Sequence, residues 1–256
     1  MSEVTRQEIM AVAAAREIQD GEAAFIGTGL PMVAAYLAKF THAPSAVLVF
    51  ESGIVDARPR ELATGVGDFR LLHGCVKATG LYYALSLLQG GFIDIGFMGG
   101  AEVDEYGNLN STAIGGYARP TVRLPGSGGA NDIGSLAGRI VIMMPHEQRR
   151  LVPRVQYLTT PGFLDGPGGR ERAGLRGEGP TRVITDLAVL DFEPRSKRMR
   201  LLTVHPGVTP EEVQARTGFP LLLAERVGET PIPSAEQVAV LRGRVDPEGI
   251  YIGKKG

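Results

Sequence analysis

Val47-Leu48-Val49-Phe50-Glu51-Ser52-Gly53 is the stretch on which the reading of this chain turns. Four consecutive apolar residues predict a short strand buried on both faces. A carboxylate, a serine and a glycine follow without a spacer. An acid at the end of a buried strand costs free energy unless something pairs it or uses it. In open α/β sheets, chemistry lies just beyond the carboxyl ends of parallel strands. Glu51 is therefore a candidate nucleophile, with Ser52 and Gly53 in its surroundings.

On the N-terminal side, Ala23-Ala24-Phe25-Ile26 predicts a second buried strand. Gly27-Thr28-Gly29-Leu30-Pro31 follows, then a helix over 31–40 with Pro31 in its first turn. Strand, glycine loop and helix together can cradle phosphate. Neither the full dinucleotide pattern nor a P-loop lysine is present, so the stretch reads as a tight βα turn. A first helix is predicted over 5–20. Thr5-Arg6-Gln7-Glu8 fits a capping box, and Gly21 fits a left-handed stop.

On the C-terminal side, residues 54–78 show little periodicity and read as an irregular excursion over the strand ends; His73 and Cys75 within it read as structural. Leu81, Leu85 and Leu88 have helical spacing, closed by Gly90-Gly91. Phe92 to Met98 predicts a strand that opens into Gly99-Gly100-Ala101-Glu102-Val103-Asp104, and Asn108 and Asn110 place amide donors nearby. Glu102 and Asp104 are not read as an acid pair. A strand over 119–124 leads into Pro125-Gly126-Ser127-Gly128-Gly129-Ala130-Asn131-Asp132. Successive glycines let backbone amides converge on an anion or oxyanion; composition alone equally allows a flexible surface loop.

Further strands are predicted over 139–144 and 154–159, and a long irregular loop over 161–180. Such a loop in a compact domain is usually functional or an interaction surface. A β-meander follows over 182–185, 187–192 and 199–204. Two helices come next, one opened by Thr209-Pro210 and one capped by Ser234; the tail from Gly253 is expected to be loose. The βαβαβ order predicts the α/β class: a mostly parallel sheet flanked by helices with late antiparallel strands, in a single domain over 1–256.

The formal net charge of -1 with no charged block gives no electrostatic reason to expect nucleic acid or an anionic membrane as partner. Apolar runs fall short of a bilayer span and no basic-then-apolar leader opens the chain, so a cytoplasmic location is expected. Cys75 is the single cysteine, which excludes an internal disulfide framework and a cysteine-rich zinc site. No ligand cluster for a metal is apparent, so the metal expectation is none.

Several segments together resemble the family I coenzyme A transferases, most closely the β subunits of the glutaconate branch. They are Phe50-Glu51-Ser52-Gly53, Phe97 to Asn110, Gly126 to Asp132, His146 to Arg150, Thr160 to Arg172, Thr185-Asp186 and His205 to Thr209, in family order. Many members carry Ser-Glu-Asn-Gly around the glutamate; Phe-Glu-Ser-Gly is similar to the glutaconate branch. The resemblance implies that Glu51 is a covalent nucleophile. It also implies that a separate α subunit completes the site, in an αβ heterotetramer or larger assembly. Coenzyme A would be a substrate, with no permanently bound cofactor.

On that reading Glu51 attacks an acyl-CoA carbonyl, and CoA passes to a carboxylic acid through glutamyl anhydride and glutamyl-CoA intermediates. The Gly128 and Gly129 amides are candidates to hold the oxyanion. Ser52, Gly53, Gly99, Gly100, Ala101, Asn110 and Asn131 are candidates for the substrate or CoA environment. The expected acid is glutaconate or a similar dicarboxylate. Two alternatives compete: a decarboxylase or hydrolase of CoA thioesters on the same fold, and a non-catalytic ligand-binding subunit.

Overall fold

The computed structural model describes residues 4–253; the tail expected to be loose lies, beyond Gly253, outside the described residues. The chain opens with α1 (Arg6–Ala15), β1 (Ala23–Ile26), α2 (Leu30–Phe40) and β2 (Val47–Phe50). The capping box forms as expected: Glu8 N–H donates to Thr5 Oγ1 at 3.2 Å and Thr5 N–H to Glu8 Oε2 at 2.8 Å. The first helix ends well short of residue 20. The chain leaves it at Arg16, whose guanidinium donates to Pro231 O and Ile232 O, and Ile18 turns into the core.

The excursion after β2 is irregular but carries β3 (Ile54–Val55), a 3₁₀ turn at Phe69–Leu72 and β4 (Lys77–Ala78). Then come α3 (Leu81–Gln89), β5 (Ile95–Met98), β6 (Glu102–Asp104), β7 (Leu109–Asn110), β8 (Ala113–Gly116) and β9 (Arg119–Arg123). The glycine-rich loop runs into α4 (Ala130–Leu136), a helix that the sequence pattern hides because glycines and polar residues dominate its start. β10 (Arg139–Met143), β11 (Leu151–Val152), α5 (Gly169–Arg172), β12 (Pro180–Ile184), β13 (Ala188–Phe192) and β14 (Met199–Val204) follow. The chain continues through α6 (Pro210–Ala215), β15 (Leu222–Glu229) and α7 (Ala235–Val240).

Ten strands form one sheet in the order β15-β14-β13-β12-β10-β5-β1-β2-β3-β4. Its centre, β12-β10-β5-β1-β2, is parallel throughout. The meander β12-β13-β14 is antiparallel, as are β2-β3 and β3-β4 at the other edge. The edge strand β15 runs parallel to β14; its charged, half-exposed sequence hides it from pattern reading. Two small sheets flank it: β8-β9 lies wholly in the long connection between β5 and β10, and β11-β6-β7 joins β6 and β7 of that connection to β11 from the segment after β10.

The strand expected over 154–159 is not there. β11 lies earlier, paired with β6. Gln156 N–H instead donates to Glu102 Oε2 at 3.0 Å, so a side chain takes a backbone donor that a ladder would need.

The central strands are apolar throughout yet still alternate. Ala24, Ile26, Leu48, Phe50, Ile95 and Phe97 pack with α1 and α2 on one face. Phe25, Val49 and Met98 pack with Ala84 and Leu88 of α3 and Ile133 of α4 on the other. Period-two alternation therefore sets Val49 toward α3 and α4. Glu51 lies two residues further on.

Candidate active site

Glu51 sits in the turn that closes the β2-β3 hairpin, where Gly53 N–H donates to Phe50 O at 2.9 Å. Three tethers hold this turn. Ser52 Oγ donates to Val66 O at 2.5 Å, and Thr79 donates to Gly53 O through its amide at 2.9 Å and its hydroxyl at 2.7 Å. Gly53 has φ +93° and its Cα packs directly on the Gly80 backbone, so a side chain is excluded twice over. Ser52 and Gly53 thus shape the turn.

The Glu51 side chain is half-buried. Gly129 N–H donates to its Oε1 at 3.0 Å, from the residue that precedes α4. Gly128 has φ +47°, and a Cβ there would lie 3.0 Å from Glu51 Oε1. Leu85 of α3 and the Glu51 side chain both crowd the place a Gly129 Cβ would take, at 3.2 Å and 3.4 Å. The two glycines of the loop therefore meet the carboxylate, one by its amide and one by its lack of a side chain.

The remaining sequence-derived positions divide. Gly99 is exposed at the carboxyl end of β5, two strands from β2 at the same end of the sheet, and Gly100 is half-buried. Ala101 N–H donates to Asn110 O at 2.8 Å. The Asn110 side chain is fully buried; it donates to Glu102 Oε2 at 2.7 Å and Ala113 O at 2.8 Å and accepts from Thr112 N–H at 2.9 Å. Its polar atoms face inward and organise the β7-β8 corner. Asn131 donates to Thr159 O at 3.0 Å, tying the first turn of α4 to a neighbouring segment.

The other strand-end carboxylates hold loops. Glu102 also accepts from Gln156 Nε2 at 2.7 Å. Asp104 accepts from the Tyr106 and Asn108 amides at 3.0 Å each; burial lifts its carboxyl above the usual carboxylate range against the pull of those bonds. His146 and His205 are buried between threonines, and burial holds both imidazoles neutral, His146 at about 4. Two cavities, of about 440 and 500 Å³, lie beside Arg170 and Tyr106, and Glu51 lines neither. No helix among the described residues is long and apolar enough to cross a membrane.

Thr79 holds the turn at Gly53, Leu85 packs against Gly129 and Thr159 bonds Asn131 beside the loop, and nothing in the sequence marks them as site residues. Each acts through tertiary contact, which no local motif records.

A carboxylate with one oxygen hydrogen-bonded by a fixed backbone amide can attack a carbonyl through its other oxygen. Residues 7–216 match the family described as Coenzyme A transferase. The chain is 41% identical over 255 residues to one of the subunits of glutaconate CoA-transferase from Acidaminococcus fermentans, covering 97% of this chain and 95% of that one. It matches the crystal structure of glutaconate coenzyme A-transferase from that organism with a TM-score of 0.92, at 38% identity over 99% of each chain. It is also 41% identical over 244 residues to one of the subunits of 3-oxoadipate CoA-transferase from Pseudomonas knackmussii, 94% of each chain. The decarboxylase AibA/AibB matches with a TM-score of 0.84 at 30% identity, over 98% of each chain. From its fold, the family match and these likenesses, the chain belongs to the coenzyme A transferase family.

Proposed function

We propose that this chain is the nucleophile-bearing β subunit of a CoA-transferase acting on a short dicarboxylic acid, with Glu51 as the covalent nucleophile. The observation that carries the reading is the Gly129 N–H on Glu51 Oε1 at 3.0 Å. Oε2 attacks the acyl-CoA carbonyl, the C–S bond breaks, and CoA leaves as thiolate. The product is a mixed anhydride in which Oε1 remains a carbonyl oxygen. The thiolate then attacks the Glu51 carbonyl carbon; Oε1 takes the negative charge, and the Gly129 amide already points at it. The donor acid leaves as carboxylate with Oε2, giving a glutamyl-CoA thioester. The acceptor carboxylate runs these steps in reverse. No net proton transfer is needed. Both CoA-transferase relatives are named for dicarboxylic acids, which supports that substrate class.

A separate partner subunit closes the site in this reading. Both relatives are named as single subunits of their enzymes, which supports it. So does the surface beside Glu51: α3 is apolar on most sides, yet only Ala84 and Leu88 are buried. Tyr82 is 88% exposed, and Phe69 and Val76 nearby in sequence are 84% and 75% exposed.

Incubating the co-expressed complex with acyl-CoA, reducing with borohydride and mapping peptides tests the mechanism. Reduction at Glu51 is expected. Turnover with an unmodified Glu51 peptide overturns it. The likeness to AibA/AibB favours a second reading, decarboxylation on the same fold; carbon dioxide release without an acceptor acid identifies that outcome.

A further inference from the structure

The loop that carries Gly129 is clasped at both ends by one residue that has no part in the chemistry above. At its upstream end, Ser111 and Gly126 are doubly joined: Gly126 N–H donates to Ser111 O and Ser111 Oγ donates to Gly126 O, both at 2.8 Å. Ser111 is itself fixed from behind, its N–H donating to Thr159 Oγ1 at 2.9 Å. At the downstream end, Asn131 N–H donates to Ser127 Oγ at 3.2 Å, and Asn131 Nδ2 donates to Thr159 O at 3.0 Å. Thr159 is 4% exposed, its hydroxyl lies 2.7 Å from that of Thr112, and its N–H donates to Leu109 O at 2.9 Å.

The hydroxyl of Thr159 thus reaches one end of the loop through Ser111 and its carbonyl the other through Asn131, while its amide anchors it to β7. Gly128, at φ +47°, lies between the two ends. Glycines carry the largest conformational freedom of any residue, so a loop this rich in them keeps an amide on target only if its ends are fixed.

We propose that Thr159 is a positioning residue for the reaction at Glu51, setting the Gly129 amide on Oε1 by clasping both ends of the Gly126–Gly129 loop. This rests on the transferase reading of Glu51. An oxyanion donor that drifts loses transition-state stabilisation while leaving remote CoA contacts intact, so the defect falls on kcat.

The test uses the co-expressed complex with acetyl-CoA as donor and glutaconate as acceptor. Thr159→Val keeps the side-chain shape and removes the hydroxyl; Thr159→Ser keeps the hydroxyl. Thr159→Val is expected to lower kcat roughly tenfold to a hundredfold with KM for acetyl-CoA within about twofold. Borohydride-trapped adduct at Glu51 should form more slowly in parallel, and Thr159→Ser should restore most of the rate. Asn131→Leu cuts the second arm with Thr159 intact and should lower kcat in the same way, which covers the case that Thr159→Val fails to fold. The inference is overturned if kcat holds in folded Thr159→Val or in Asn131→Leu, or if Thr159→Ser is as impaired as Thr159→Val. Glu51→Gln runs alongside: activity in that variant removes the Glu51 reading itself, whereas an inactive Glu51→Gln with a normal Thr159→Val removes only the role of Thr159.

Discussion

Gly129 N–H meets Glu51 Oε1 at 3.0 Å although the two residues lie 78 positions apart in the chain. One closes the turn after β2 and the other precedes α4. The contact is possible because α4 packs against β5 and beside α3 on the face toward which Val49 of β2 points, so that Val49 and Ile133 share one core.

Replacing Glu51 by glutamine keeps size and hydrogen-bonding capacity but removes the nucleophilic charge. Transfer should fall by roughly a thousandfold or more. Assembly with the partner should persist, because the turn is held by Ser52, Gly53 and Thr79 and not by Glu51. Steady-state rates and size-exclusion chromatography of the complex check both halves.

Gly128→Ala places a methyl group 3.0 Å from Glu51 Oε1 and forces φ +47° on a residue with a Cβ. The backbone cost is about 1 kcal/mol. The larger effect is on rate, on the order of a hundredfold, because the methyl group displaces the carboxylate from the Gly129 amide. A thermal melt beside a kcat measurement separates the two; a variant with unchanged kcat contradicts the geometry.

Burial between Thr185 and Thr217 takes His146 from its ordinary 6.5 to about 4, so the folded chain binds its proton less readily than the unfolded chain does. Above about pH 6.5 both states are neutral and there is no penalty. As pH falls from 6.5 toward 4 the unfolded state gains the proton first and stability drops, by about 3 kcal/mol in all as an order of magnitude. His205 acts in the same direction. Denaturation followed by circular dichroism across that window should show a flatter pH dependence in His146→Gln, even though that variant starts less stable; an equal slope rules the assignment out.

Lys39 is buried at the end of α2, with its ammonium 2.6 Å from Asp56 Oδ1. The approach lacks the angle of a hydrogen bond to Oδ1, so the contact is ionic, while the same ammonium donates to Ala46 O at 2.7 Å. Lys39→Met strands the Asp56 charge and should cost about 3–5 kcal/mol. Adding Asp56→Asn should recover a good part of that loss, and comparing the melting of the single and double variants measures the coupling.

How much of this is legible in the sequence depends on the range of each interaction. The four apolar residues before Glu51 announce β2, and the capping boxes at Thr5 and Ser234 form as expected, because a strand's burial and a cap's reciprocal bonds are written within a few residues. The parallel core follows from the alternation of strands and helices along the chain. The loss of the strand over 154–159 is not legible, because Glu102, from a distant strand, takes the donor of Gln156.

The sequence by itself determined that a carboxylate would stand at the end of a buried strand, since apolar periodicity is a local property of the chain. Only the tertiary structure decided what faces that carboxylate. The order of strands in the sheet sets α4 against β5 and beside α3, on the face toward which Val49 points, and one amide of the glycine-rich loop before α4 meets Oε1 while Thr159 bonds Ser111 and Asn131 at either side of that loop. Glycine places no steric limit on where such an amide points, and the limit comes instead from residues far away in sequence.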